Sequence, residues 1–182
     1  MYKLIPLDSH CIVEVVDFPL PEVDLNTIEY VDQQHYYSTE NSKRMSFECT
    51  GIYENYFRDK NILPKLLELF KQHPLYSTST LAQFHESELA LATQICKDQV
   101  GWQQEIHTDH PVALASGLVH ITDCATSTKF YNFQQTDVPL YTAPCKANSG
   151  AFWLNTSEGY HGVDPVTVER NHFFFLIKKV GP

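Results

Sequence analysis

The chain has 182 residues, enough for one domain with a sizeable core, and its 13% aromatic and 19% charged residues mark a globular rather than a disordered protein. A formal charge of −9 without any basic stretch argues against a surface that tracks phosphates, so a nucleic-acid partner is not expected. Five cysteines, widely spaced and without a Cys-x-x-Cys pair, read as reduced thiols of a cytoplasmic protein, and no signal peptide or membrane span is expected.

Taken in order, residues 1 to 60 are the least informative. CIVEVVDF is rich in β-branched residues and stops at the turn-like PLPEVD, which predicts a strand. From Asn26 to Cys49, tyrosines and polar residues alternate without a period, and no element is assigned. NILPKLLELFKQHP, residues 61 to 74, is the best helix in the chain. Leu63, Leu66, Leu67 and Phe70 recur at i, i+3, i+4 and i+7 as one apolar stripe, Pro64 suits a first turn and Pro74 stops the helix. Its expected role is packing against the outside of a sheet.

Beyond residue 81 the chain reads as strands. ELALATQIC (strand from Leu91), QQEIHTD, ALASGLVHIT, STKFYNF, VPLYTAPC, GAFWLNT and RNHFFFLIKK are separated by Gly, Pro, Asp, Ser and Thr clusters. Seven short strands with no helical run between them indicate an all-β sandwich or barrel. The chemistry gathers on GWQQEIHTDHP. His107 and Asp109 are two residues apart on an expected strand and so project from one face. His161, in SEGYHGVDP, offers a third ligand, and two imidazoles with one carboxylate form the facial set that leaves three positions open on Fe(II). Nine histidines and ten aspartates give roughly 0.5 chance His-x-Asp pairs, so the pair alone is weak. The weight lies in the ordered set, completed by Arg170 nine residues after His161 at the head of an apolar strand. Alternation along that strand places Arg170, His172, Phe174 and Leu176 on one face.

That ordered set resembles the Fe(II)/2-oxoglutarate-dependent oxygenases, most nearly their small prolyl-hydroxylase-like and phage-encoded members. TQICKDQVGWQQEIHTDHP looks like their metal strand, and NSGAFWLNTSEGYHGV looks like the segment carrying their distal histidine. The resemblance spans residues 93 to 180. It implies a mainly β fold, a double-stranded β-helix (jelly roll), filling residues 81 to 182, with N-terminal strands and a supporting helix in residues 1 to 80, all in one domain. It also implies a metal set of His107, Asp109 and His161, which are the catalytic centre, with Fe(II), 2-oxoglutarate and O2 as reactants. Arg170 would bind the distal carboxylate of 2-oxoglutarate through its planar fork. Where the family carries a tyrosine ten residues before the first ligand histidine, this chain has Lys97. His120 and Tyr131 are then the candidate partners of that carboxylate, and prolyl peptide specificity is put in doubt.

Asn155, Tyr160 and His110 flank the metal residues and are the candidate substrate contacts, with Trp153 divided between pocket and core. The substrate is left as an amino acid, a peptidyl side chain or another small molecule, hydroxylated while 2-oxoglutarate goes to succinate and CO2. Two rival readings stand beside this one: a jelly-roll metal-binding sensor without turnover, and a Zn(II)-dependent cupin-like hydrolase or isomerase. Glu105 and Asp164 are the alternative carboxylate ligands.

Overall fold

The computed structural model describes residues 1–32, 43–49, 52–133 and 136–181. The chain opens with a hairpin, Tyr2–Leu7 (β1) and His10–Val15 (β2), followed by the short pair Val31–Asp32 (β3) and Arg44–Glu48 (β4). Two helices follow, Ile52–Asp59 (α1) and Ile62–Phe70 (α2). Eight strands complete the fold: Leu89–Asp98 (β5), Gln104–His107 (β6), Ala115–His120 (β7), Thr128–Phe130 (β8), Tyr141–Thr142 (β9), Gly150–Leu154 (β10), His161–Val163 (β11) and Arg170–Lys179 (β12). Pairing is antiparallel throughout. One sheet runs β1-β2-β10-β7-β12-β5-β4-β3 and the other β6-β11-β8-β9.

The all-β core expected beyond residue 81 is therefore present, although Thr80–Gln83 and Glu86–Glu88 are 3-10 turns and the first of these strands begins at Leu89. The N-terminal strand β1 and strand β4 carry no clear period of their own, whereas α1 turns Tyr53, Tyr56 and Phe57 to the core. All three are held by what they pack on.

The large sheet is covered on both sides, which is why β7 and β10 are buried at every position instead of alternating. On its outer side lie the two helices. Ile62, Leu66, Leu67 and Phe70 of α2 and Phe57 of α1 join Val13, Phe152, Phe173 and Phe175 in one apolar cluster. The Phe57 ring meets Phe173 at 5.2 Å and Phe175 at 5.0 Å between centroids. Gly117 of β7 sits under this layer, where a Cβ would lie 2.2 Å from the Phe152 ring, so the close approach requires glycine. On the inner side the large sheet faces the small one across Ile12, Leu118, Phe130, Ala151 and Trp153.

Candidate metal centre

β6 and β11 pair so that His107 and His161 stand directly opposite each other, with ring centroids 4.5 Å apart. Asp109 lies two residues past His107. The strand ends at His107, so Asp109 is on the segment leaving β6 rather than on the strand, yet it keeps the same side. Its Oδ1 is 3.5 Å from His161 Nε2 and 3.8 Å from His107 Nε2. One donor atom from each residue lies within 4.8 Å of the others. An octahedron with ~2.1 Å bonds has edges of ~3 Å, so the three donors need only a small contraction to share one ion.

The backbone fixes which nitrogens face that point. His107 Nδ1 is 2.9 Å from the Glu105 carbonyl and His161 Nδ1 is 3.0 Å from the Gly159 carbonyl. A carbonyl only accepts, so each Nδ1 carries the proton and each Nε2 presents its lone pair inward. The Gln104 amide lies 3.1 Å from His107 Nε2 and donates to it, holding the place of a cation. From the facing sheet, the Trp153 indole donates to Asp109 Oδ2 at 3.0 Å. Burial on its own would raise the Asp109 carboxyl, but its interactions with His107 and His161 outweigh burial and hold the group well below the usual carboxylate range. His10 of β2 reaches across to the Tyr160 carbonyl at 3.1 Å and fixes the backbone just before His161.

A second buried polar cluster lies between the same sheets. Arg170 is fully buried and donates from Nε to Asp98 Oδ2 at 2.6 Å; Nη1 reaches the Thr126 carbonyl at 3.4 Å, and Nη2 has no partner among the described residues. Asp98 also accepts from Arg44 Nε at 2.5 Å and Nη2 at 3.0 Å. Both guanidinium groups lie over the Trp102 ring, Arg44 at 3.7 Å and Arg170 at 5.2 Å. Burial opposes the charge on Asp98, yet the two guanidinium groups outweigh it and keep the carboxyl well below its ordinary range. Both guanidinium groups share the Asp98 carboxylate, and among the described residues the Nη2 edge of Arg170 stays open. That edge fits a carboxylate.

The other residues predicted from sequence are placed as follows. His120 is in the second cluster, fully buried, its ring nitrogens 3.5 and 3.7 Å from Cys124 Sγ. Tyr131 is not. The inward positions of its strand are Thr128 and Phe130, and the Tyr131 side chain lies with Lys129 and Asp164 around a separate cavity of about 380 Å³. Glu105 lines that cavity too, and Asp164 pairs with Lys129, so neither joins the two histidines. Lys97 faces away from Asp98, toward Glu169 at 3.2 Å. Asn155 lines a cavity of about 660 Å³ that reaches Thr108 and Asp109 and is bordered by Ser9, Thr78 and Glu158. Tyr160 stacks on Phe133 at 5.2 Å, and His110 is exposed, its Nδ1 accepting from the Val112 amide.

Sequence reasoning passed over Arg44, Asp98, Gln104 and His10. The alternation that selected Arg170 and His172 on β12 would select Asp98 on β5 once the pairing Arg170↔Asp98 is known, but the pairing itself is tertiary.

No family model matches this sequence, and no curated protein does. Solved structures do match in fold. A prolyl-4-hydroxylase of Pseudomonas putida is 12% identical with a TM-score of 0.54, over 76% of this chain and 73% of that one. A viral collagen prolyl hydroxylase from Paramecium Bursaria Chlorella virus-1, solved as its 2OG complex, is 14% identical with a TM-score of 0.50, over 76% and 81%. An oxidoreductase of the 2OG-Fe(II) oxygenase family from Burkholderia pseudomallei is 11% identical with a TM-score of 0.50, over 97% and 71%. At these identities the likeness is one of fold. The jelly-roll architecture expected from the sequence is present.

Proposed function

We propose that the protein is a non-haem Fe(II)/2-oxoglutarate-dependent dioxygenase that hydroxylates an amino acid, a peptidyl side chain or another small molecule and releases succinate and CO2. The observation that carries this reading is a pair of sites between the same two sheets. One is a three-donor set in which two imidazole nitrogens and a carboxylate oxygen gather around one point; the other is a buried arginine, Arg170, with an N–H edge that has no partner among the described residues. A metal site alone would fit a hydrolase, but the buried guanidinium calls for an anionic ligand as well. The fold shared with prolyl hydroxylases and a 2OG-Fe(II) oxygenase supports the same reading.

In this reading His107, Asp109 and His161 hold Fe(II), and 2-oxoglutarate takes its distal carboxylate to Arg170 Nη2. When bound, the metal and co-substrate supply the oxidising chemistry with O2. The work left to the chain is positional. Trp153 turns Asp109 so that Oδ1 faces the histidines; Glu105 and Gly159 carbonyls keep both imidazoles in the tautomer that offers Nε2; the Gln104 amide must leave His107 for a cation to enter. Asp98 holds the Arg170 guanidinium by its Nε edge and thereby aims the remaining edge. The cavity bordered by Asn155, Ser9, Thr78 and Glu158 opens on Asp109 and is the place for the substrate.

The test is succinate release from 2-oxoglutarate by the Fe(II)-loaded protein under air, with mass spectrometry of a panel of amino acids and peptides for the gain of one oxygen. Succinate formation that depends on Fe(II), O2 and the triad supports the assignment. A protein that binds Zn(II) in preference and turns over without O2 is a hydrolase or isomerase, and one that binds the metal with no succinate formed is a sensor.

A further inference from the structure

His172 follows Arg170 by two residues on β12 and shares its inward face. It is fully buried, and among the described residues neither ring nitrogen has a hydrogen-bond partner. The same inward row continues as Phe174 and Leu176, so an apolar side chain is what this strand supplies where nothing polar is needed. Burying an imidazole with both nitrogens unpaired costs stability, and a core position that bears the cost points to a partner supplied from outside the chain.

The groups around His172 define that partner. Across the pairing of β12 with β7 stands His120, 6.1 Å away between ring centroids, and across β5 stands Cys96. Asp98 Oδ2 is 3.9 Å from His172 Nδ1, beyond hydrogen-bond range and already taken by Arg170 Nε at 2.6 Å. His120 is engaged with the Cys124 thiol, so His172 is the imidazole of this pair left open. The His172 imidazole and the open Nη2 edge of Arg170, two residues apart on one face of β12, both offer N–H donors. The chemistry that completes them is a carboxylate.

We propose that His172 is a binding residue for the distal carboxylate of 2-oxoglutarate, donating a ring N–H to one oxygen while Arg170 Nη2 donates to the other. This rests on the oxygenase reading above and replaces the tyrosine partner expected at Tyr131. Arg170, His120 and His172 are sealed from solvent in this conformation, so the ligand enters when side chains between the sheets shift.

The experiment measures binding and stability, not turnover. The protein is loaded with Mn(II) and titrated calorimetrically with 2-oxoglutarate and with 2-oxobutyrate, which has the same chelating end but no distal carboxylate. His172→Leu and His172→Phe bracket the imidazole in volume and remove both nitrogens; His172→Gln returns one N–H. The expected result is a Kd for 2-oxoglutarate raised about tenfold or more in the Leu and Phe variants and partly recovered in Gln, with 2-oxobutyrate affinity unchanged. The ligand-free, metal-free Leu or Phe variant melts higher than wild type, because an unpaired buried polar ring has gone. Wild-type affinity for 2-oxoglutarate in a folded Leu or Phe variant, or an equal loss for both ligands, overturns the proposal and makes His172 a packing residue. A Mn(II)-loaded wild type that binds neither keto acid overturns the oxygenase reading itself.

Discussion

Trp153 donates its indole N–H to Asp109 Oδ2 at 3.0 Å, while Asp109 Oδ1 faces Nε2 of His161 at 3.5 Å and of His107 at 3.8 Å. The two oxygens of one carboxylate are thus divided between orientation and ligation. Partners of this kind are typically worth about 10–100-fold in metal affinity. Trp153→Phe keeps the ring in its apolar cluster and removes the donor. We expect Mn(II) or Fe(II) affinity to fall about tenfold in calorimetry with the fold intact. An unchanged affinity would show that Asp109 is aimed by its own backbone.

The triad makes a sharper prediction. His107→Ala and His161→Ala each remove a lone pair aimed at the ion and leave a gap water can fill, so metal binding falls steeply while the far-ultraviolet circular dichroism spectrum is kept. Asp109→Asn removes the one anionic donor and abolishes succinate release. Glu105 and Asp164 sit on the other cavity and cannot substitute. Turnover by Asp109→Asn at more than a small fraction of the wild-type rate contradicts the assignment.

Arg170→Met isolates the co-substrate from the metal. It deletes the open guanidinium edge but touches no metal donor, so metal affinity stays and the 2-oxoglutarate requirement rises by roughly two to four orders of magnitude, the cost of an unpaired buried carboxylate. Arg170→Lys falls between, because a point charge keeps the attraction and loses the fork. Titration of succinate release at fixed metal reads all three curves; a shared midpoint removes Arg170 from the co-substrate site.

Asp98 is the residue on which two buried cations depend. Asp98→Asn removes the carboxylate that Arg44 and Arg170 share, and breaking a buried pair of this kind costs about 3–5 kcal/mol. An unfolding free energy from urea titration lowered by that amount, with a correspondingly lower midpoint, is expected. If the midpoint hardly moves, water reaches the two guanidinium groups and the cluster is not the closed site described above.

Burial, reinforced by the charge of Arg170 and opposed by Asp98, lowers the His120 imidazole to about 3. The unfolded chain titrates near 6.5, so between pH 6.5 and about 3 the unfolded state binds the extra proton and stability rises with pH. Acidifying from pH 6.5 to 5 therefore removes ~2 kcal/mol through this group. The metal-free protein should lose stability over that window, and His120→Phe should flatten the slope. A variant with the wild-type slope places the acid sensitivity elsewhere.

The sequence by itself singled out, in fixed order, the residues that could hold a metal ion and an anion. His107, Asp109, His161 and Arg170 are legible because a metal set and an anion site demand those residue types, and because β strands alternate side chains with a period of two. The stripe of α2 and the turn-separated apolar runs beyond residue 81 are legible for the same reason, since local periodicity reports which side is buried.

What only the tertiary structure decided is which residues meet from distant segments. The pairing of β12 with β5 brings Asp98 under Arg170, and β4 adds Arg44 to the same carboxylate, although residue 44 lies in a stretch without any period. The phase of β8 places Phe130 against His161 and sends Tyr131, the next residue, to the other side with Lys129 and Asp164, a choice of register that a one-residue shift would reverse. Trp153 reads in sequence as core or pocket with equal ease; its task is set by the facing sheet, which brings its indole to Asp109, 44 positions away in the chain. Local sequence carries the period of an element. The partner across the sheet is fixed by burial summed over the whole fold, and that sum is not written in any one segment.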